Sequence, residues 1–597
     1  MTQPRLRSSR FWSSPFRPSR WLAPSLAASG ALLATLAGQP AAHACGGFFC
    51  NNAQPVNQAA ERIIFSTAED GTVTATIQIQ YSGDAETFAW VLPVAGSPEV
   101  RVSSNLAFQR LQAATNPQYT LTTRIEGDCL DDFSRGGPTA NSGFAGSDAS
   151  VSFSADAGSP ITVVNSGSVG PYDFIVISVD PATERPSDTA VEWLRDNDYQ
   201  IDESGAALLD PYLAGGMNLL AFRLTKGNST GSIRPVQIVF GPGQASIPIR
   251  PTAVAAVEDM GVMVWVLGPH RAVPANYLSL ELNESLINWL NPGLNYNDVV
   301  TEAANQAGGQ GFVTEMAGAA EPLAETIFAS WESTQWESLR TIDWTDREGE
   351  MLQSVIGTFS QHDGIRDVLA ATVPLPADVP GITYDDLAAC VSCYYAYDEA
   401  DIEGLTPAAF LAAMQTSVID PMENTRDLFE ESPYLTRFYT TMSASEMTRD
   451  PAFDFNASLA DVSNVHNAER VIECSPSLSQ FEAPWRVELP SGQTVRGTGG
   501  NWPLDVATTT MPANERIVRY DTEGPAEVVT DNSPAIATAL AAHNATIARR
   551  SPGVAVGGGA SALCSASPGA RDASGLGVLA LAGLGLVLRR RDKGARS

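Results

Sequence analysis

The sequence predicts an α+β protein: an antiparallel, β-rich body over residues 45–283, a largely helical segment over 284–447, and a closing β section with a last helix over 448–550. Three observations predict it. Short runs of alternating apolar and polar residues fill the first part, the period of half-buried strands. Between 284 and 447 helix formers and 3.6-residue apolar spacing take over. Strand-like runs then return around a Pro490-Ser491-Gly492 turn, before a helical pattern over 533–549. With 597 residues, 44% of them hydrophobic, the chain is long enough for two to four domains and can bury a sizeable core.

The alternation is cleanest over 72–81, where Val73, Ala75, Ile77 and Ile79 share one face and Thr74, Thr76, Gln78 and Gln80 the other. The run over 62–66 reaches it through Asp70-Gly71, a hairpin dipeptide. Residues 87–94 are too apolar for an exposed edge strand. A helix over 105–114 stops at Asn116-Pro117, and a strand follows over 118–126. Residues 134–160 are Gly, Ser, Ala and Asp with little apolar content, which predicts a flexible surface insert. Further strands are expected at 161–165, 172–179, 219–224, 233–240 and 261–267, with a short helix near Trp193. Residues 88–93 and 263–268 both contain Trp-Val-Leu before a loop. They record a duplicated β unit or, more simply, two strands that each bury a Trp. In the helical segment the strongest patterns cover 319–339, 348–359, 385–396 and 407–414.

The two ends read as addresses. Residues 1–20 carry five Arg and no acid, a mostly apolar run follows to Gly38, and Ala42-His43-Ala44 precedes Cys45. This is the pattern of a secretory signal peptide over 1–44 cleaved after Ala44. At the other end a Gly/Ala linker, 551–563, leads to Cys564-Ser565, an apolar run of Gly, Leu and Ala, and Arg589-Arg590-Arg591. The apolar run is shorter than the ~20 residues a full helical span needs. The basic cluster would stay cytoplasmic and leave Cys564 outside. From these physical features alone a plain membrane anchor is an equal reading. The order of parts over 564–597 resembles the MYXO-CTERM sorting tail of myxobacterial surface proteins. That resemblance implies removal of the tail by a sorting protease, lipid on Cys564, and display on the outer membrane at the surface of a Gram-negative cell.

The chain carries 36 basic and 67 acidic residues. Without residues 1–44 and those after Cys564, 25 basic and 65 acidic side chains remain, a net charge of −40. Such a field repels nucleic acid and anionic lipid, and excludes both as binding targets of the body. Apart from Cys564 there are six cysteines, Cys45, Cys50, Cys129, Cys390, Cys393 and Cys474, an even number in a secreted chain. The favoured pairing among about 15 possible ones is Cys45 with Cys50, Cys390 with Cys393, and Cys129 with Cys474.

Chemistry-bearing motifs are few, and each has a structural reading beside it. Cys45-Gly46-Gly47-Phe48-Phe49-Cys50 suits a small disulfide loop better than a metal site, since no His follows nearby. Cys390-Val391-Ser392-Cys393 has redox spacing, but Asp385, Asp386 and Asp398 surround it and oppose a thiolate. Residues 227–231 match G-x-S-x-G in letters, yet join two strand-like runs instead of a strand and a helix, and so read as a hairpin turn. His270, His362, His466 and His543 have no zinc-ligand spacing. His362-Asp363 is the one candidate dyad, with a solvated helix end as its ordinary explanation.

The Cys45–Cys50 motif, Glu61-Arg62-Ile63-Ile64-Phe65, Gly170-Pro171-Tyr172-Asp173 and Asn295-Tyr296, together with the segments at 89–93, 248–250, 260–267 and 274–278, resemble the bacterial domain-of-unknown-function family 2330. The resemblance runs over most of 45–315. It implies a secreted or surface protein common in myxobacteria, and brings no activity or catalytic residue. The first functional expectation is thus a non-enzymatic surface protein with a binding or envelope role. A surface hydrolase using an Asp/Glu pair is second, and a thiol oxidoreductase at Cys390/Cys393 third. No catalytic residue, metal ligand, cofactor or extracellular ligand is assigned from the sequence.

Overall fold

Val262, Val264 and Val266 alternate with Met263, Trp265 and Leu267, so the strand Ala256–Gly268 is apolar on both sides and needs cover on both faces. It lies inside a ten-stranded sheet. From edge to edge the strands are Glu527–Asp531, Asn514–Arg519, Leu278–Leu282, Gly311–Ala319, Tyr434–Met442, Ala256–Gly268, Asn57–Thr67, Thr72–Ser82, Val236–Pro242 and Glu99–Val102. The computed structural model describes residues 57–82, 89–130, 160–180, 182–199, 205–224, 233–377 and 379–550. The signal segment with Ala44, Cys45 and Cys50, residues 134–159 of the insert, the 227–231 motif, the 551–563 linker and the 564–597 tail with Cys564 lie outside them.

On one face of the sheet, Ile63, Phe65, Val264 and Val266 pack against Trp90, Val176, Leu220 and Phe222 of a second, four-stranded sheet. Its strands run in the order Ala89–Val94, Asn218–Leu224, Tyr172–Val179, Ile161–Val169, all antiparallel. The outer face of this sheet, including Ala89, Val91, Leu219 and Ala221, is covered by helices Pro186–Asp196 and Ala206–Ala214. Cover on both sides explains why 89–94 is apolar without alternation.

Helices pack on the opposite face of the large sheet, over Ile64, Met263, Trp265 and Leu267. Asn105–Thr115 starts where the Ser104 hydroxyl accepts from the Leu106 amide at 3.1 Å, and buries Phe108 and Leu111. Glu348–Phe359 contributes Met351, Leu352 and Val355, and Asp420–Glu431 contributes Met422 and Phe429. Among the described residues no helix is long and apolar enough to cross a membrane.

The class is α+β, with three parallel pairings among the described strands: Asn57–Thr67 with Ala256–Gly268, Leu278–Leu282 with Gly311–Ala319, and Gln118–Glu126 with Val465–Glu473. The largely helical stretch 284–447 also gives two interior strands to the large sheet, Gly311–Ala319 and Tyr434–Met442. The helix expected over 319–339 is divided. It begins only at Glu321–Ile327, Phe328 is extended, and Ser330–Arg340 restarts with the Glu332 carboxylate accepting from the Ala329 amide. The two Trp-Val-Leu segments lie in different sheets. Trp90 stacks on Phe222 with ring centroids 5.2 Å apart, whereas Trp265 meets Phe108 edge-on and donates to the Thr115 hydroxyl at 3.0 Å. Each segment is a strand that buries its own Trp, as the simpler reading expects.

The closing section forms a sheet of Thr494–Thr498, Pro484–Glu488, Val465–Glu473 and Gln118–Glu126. Its parallel pair ends at Glu126 opposite Glu473, and a disulfide joins Cys129 to Cys474 just beyond, across 345 residues of chain. Removing a native bridge of this kind costs about 2–4 kcal/mol, because the unfolded chain regains the freedom of a long loop. The Cys129→Ser/Cys474→Ser double variant is expected to lose that amount in urea unfolding. An unchanged midpoint would mean that the strand pair needs no covalent tie.

Candidate binding site between the two sheets

The inward-facing side chains of the two sheets do not fill the space between them. Ile63, Phe65, Ala75 and Ile238 from the large sheet and Leu92 and Val94 from the small one wall a cavity of about 380 Å³. That is within the usual range for small-molecule sites, ~300–1,000 Å³. Helix Ala206–Ala214 contributes Tyr212, and the turn 241–244 contributes to the rim. Period-2 alternation is the cause of the apolar lining: residues 63, 65, 73, 75 and 77 all point the same way.

Two carboxyls break that lining, and they differ. Asp450 accepts from the Tyr212 hydroxyl at 2.8 Å and from the Arg250 amide at 3.3 Å. Burial raises its pKa above the usual carboxylate range, and the Tyr212 bond partly offsets the rise. Glu61 shares the face of Ile63 and Phe65 and is only 5% exposed, yet its Oε2 has no hydrogen-bond partner. Burial alone pushes its carboxyl up to about 7. The strand Asn57–Thr67 has a register irregularity against both neighbours immediately before Glu61. Bulges of this kind re-aim side chains. A bound molecule with a hydrogen-bond donor or a positive charge would satisfy this carboxyl.

Across the sheet lies a polar cleft of about 740 Å³, which Glu61 also borders, with Arg62, Tyr119, Glu315, Arg437 and Tyr439 in its lining. Here the charges are already matched. The Arg437 guanidinium lies 2.6 Å from the Glu315 carboxylate, and donates to the Thr115 hydroxyl at 2.8 Å and the Asn116 side-chain oxygen at 2.9 Å. Tyr296 donates to the other Glu315 oxygen at 2.5 Å. Burial raises the Glu315 carboxyl above its usual range, against the pull of Arg437 and Tyr296. Arg62 is lowered by burial and then by Arg437, and donates to Gln78 at 2.9 Å.

His362 and Asp363 do not form a dyad. The His362 ring lies 2.9 Å from Glu332, which also holds Arg110 through contacts of 2.7 and 3.0 Å. Burial would raise the Glu332 carboxyl, but the His362 and Arg110 bonds outweigh it and bring it to about 2. Asp363 instead accepts from the Ser104 hydroxyl and the Asn105 amide at a helix start. His466 lies 2.6 Å from Glu284 and stacks on Tyr119 with ring centroids 4.6 Å apart, His543 meets the Arg496 carbonyl at 2.8 Å, and His270 is exposed. The structure brings Cys390 and Cys393 together as a disulfide, with Cα atoms 5.4 Å apart. Cys390 caps the C-terminal end of helix Tyr384–Ala389, its amide donating to the Asp386 carbonyl at 3.1 Å. The negative end of a helix dipole opposes a thiolate there, so the pair reads as a structural bridge.

Glu61 entered the sequence reading only inside a family motif. Its signal was present, since an acid occupies the apolar-face position two before Ile63 and four before Phe65. Its proton equilibrium gives a stability test. The unfolded carboxyl ionises near 4.5 and the folded one near 7, so the folded state holds the proton more tightly. Stability therefore falls as pH rises through that window, by about 3 kcal/mol, and neither state is favoured below it, where both are protonated. Glu61→Gln is expected to match the parent near pH 4 and to exceed it at pH 8 by up to that amount in urea unfolding. An equal difference at both pH values would mean that Glu61 ionises normally.

The family model described as "Uncharacterized protein conserved in bacteria (DUF2330)" matches residues 39–346. The matched stretch includes Glu61 and both sheets' contributions to the cavity wall, and ends before Asp450. No curated protein and no solved structure matches the chain. The chain belongs to this bacterial family, DUF2330.

Proposed function

We propose that the protein is exported, held on the outer cell surface through lipid on Cys564, and serves there as a non-catalytic binding protein whose inter-sheet cavity takes up a small, mostly apolar molecule. The observation that carries the binding role is the cavity itself, apolar on its walls and carrying one buried carboxyl without a partner. The signal pattern before Cys45 and the Cys-apolar-Arg tail support the location. The body's net charge of −40 suits a solvated extracellular face that repels the anionic surface beneath it. Two disulfides within the described residues fit an oxidising compartment. The expected partners are the membrane, reached through the tail or a lipid, and the sorting protease.

Mass spectrometry of the protein taken from its own envelope tests both halves. The denatured chain is expected to begin at Cys45, to end near Cys564 with added lipid mass, and to gain about six hydrogens when three disulfides are reduced. A chain ending at Ser597 would make the tail a plain membrane anchor. Under native conditions an additional small-molecule mass is expected, lost on extraction with organic solvent. A ligand-free protein that also takes up no apolar probe would overturn the binding role.

A further inference from the structure

Among the described residues the buried glutamates are Glu61, Glu315, Glu332, Glu348 and Glu473. Four of them have partners. Glu315 meets Arg437 and Tyr296, Glu332 meets Arg110 and His362, Glu473 meets Arg486 and Arg496, and Glu348 accepts from the Asp401 amide. Glu61 has none, and it lines the apolar cavity. Elsewhere this fold answers each buried glutamate with an internal donor, which makes the exception a feature of the cavity.

We propose that the cavity is selective for apolar cations, taking the hydrocarbon of an alkyl- or arylammonium against its walls and the ammonium nitrogen at Glu61. This rests on the reading of the cavity as the binding site, and adds the charge class of the ligand. Three arguments favour a cation over a neutral or anionic amphiphile. A buried carboxylate without a partner gains most from a group that brings both charge and donors. A fatty carboxylate would instead place a second acid beside Glu61, and like charges at close range disfavour each other. The net charge of the whole chain, −31, raises the local concentration of cations and lowers that of anions.

No charged neighbour competes for the role. The other titratable groups on the cavity wall are Tyr212 and Asp450, bound to one another. On the cleft side of the sheet are Arg62, Tyr119, Asp259, Tyr296, Asp298, Glu315, Arg437 and Tyr439. Arg437 is held by Glu315, and Arg62 has no ion pair with Glu61. The element alongside, Thr72–Ser82, offers the neutral Gln78, which is engaged by Arg62 and Asn105.

Binding of an ammonium then requires the ionised form of Glu61, so it releases a proton where the free carboxyl is protonated. With the free carboxyl near 7, the competent fraction falls about tenfold between pH 8 and pH 6, and apparent affinity falls with it. Calorimetry on the full chain with decylammonium, decanol and decanoate at both pH values tests this. Decylammonium is expected to bind most tightly at pH 8, about tenfold more weakly at pH 6, and with proton release at pH 6 seen as a buffer-dependent heat. Glu61→Gln is expected to abolish the pH dependence and the preference for decylammonium over decanol. If decanol or decanoate binds as tightly as decylammonium, the charge selectivity is overturned while the cavity stays a binding site. If none of the three binds, the cavity reading falls as well.

Discussion

The large sheet is covered on both faces, and that constraint governs the rest of the molecule. Two of its long interior strands, Asn57–Thr67 and Ala256–Gly268, are paired in parallel with Ile63 opposite Val264 and Phe65 opposite Val266. The pleat sends successive side chains to opposite faces. One face must therefore meet a second sheet and the other a layer of helices, and each must supply apolar partners. On the side toward the second sheet, Ile63, Phe65, Val264 and Val266 are all buried. This is why an acid at position 61 is held at the cavity wall, where its ionisation and its lack of a partner become properties of the fold.

Buried charge is handled in two ways around this sheet. Two irregularities in strand pairing accompany two glutamates: one falls immediately before Glu61, and one lies between Thr314 and Met316, where Glu315 sits. Glu315 is matched by Arg437 on the neighbouring strand and by Tyr296 on the helix above, and the guanidinium of Arg437 lies over the Trp265 ring, 5.5 Å from its centroid. Such a pair specifies how strand and helix layers meet more than it stabilises them, because desolvation offsets much of the attraction. Glu61 has no such partner, and the difference separates a structural acid from one available to a ligand.

Long-range ties then bind regions far apart in sequence. Arg234, buried, donates to the Ser103 carbonyl at 3.0 Å and to the Ser417 carbonyl at 2.6 Å, and its own backbone meets the Tyr172 hydroxyl. One side chain thus links the start of helix Asn105–Thr115 with the π-helical segment Gln415–Ile419 of the helical layer. The Cys129–Cys474 bridge does the same for the parallel pair of the closing sheet. Contacts of this span leave no periodic trace. Residues 234 and 417 look unrelated until the backbone brings them together.

What the sequence by itself determined is local. Alternation over 72–81, the stop at Asn116-Pro117, and helix formers over 348–359 and 407–414 correspond to elements observed at Thr72–Ser82, Asn105–Thr115, Glu348–Phe359 and Pro407–Met414. These patterns are legible because side-chain periodicity and turn chemistry act over a few residues. Tyr434–Met442, by contrast, lies in the stretch read as largely helical, and local periodicity did not single it out as a strand. Tertiary structure alone decided that this strand lies beside Ala256–Gly268, that His362 faces Glu332 and turns away from the role suggested by Asp363, and that Glu61 opens on an apolar cavity. Each depends on which faces meet across tens or hundreds of residues. One-dimensional spacing records that a residue needs a partner, and only packing decides which partner it finds or whether the place is left for a ligand.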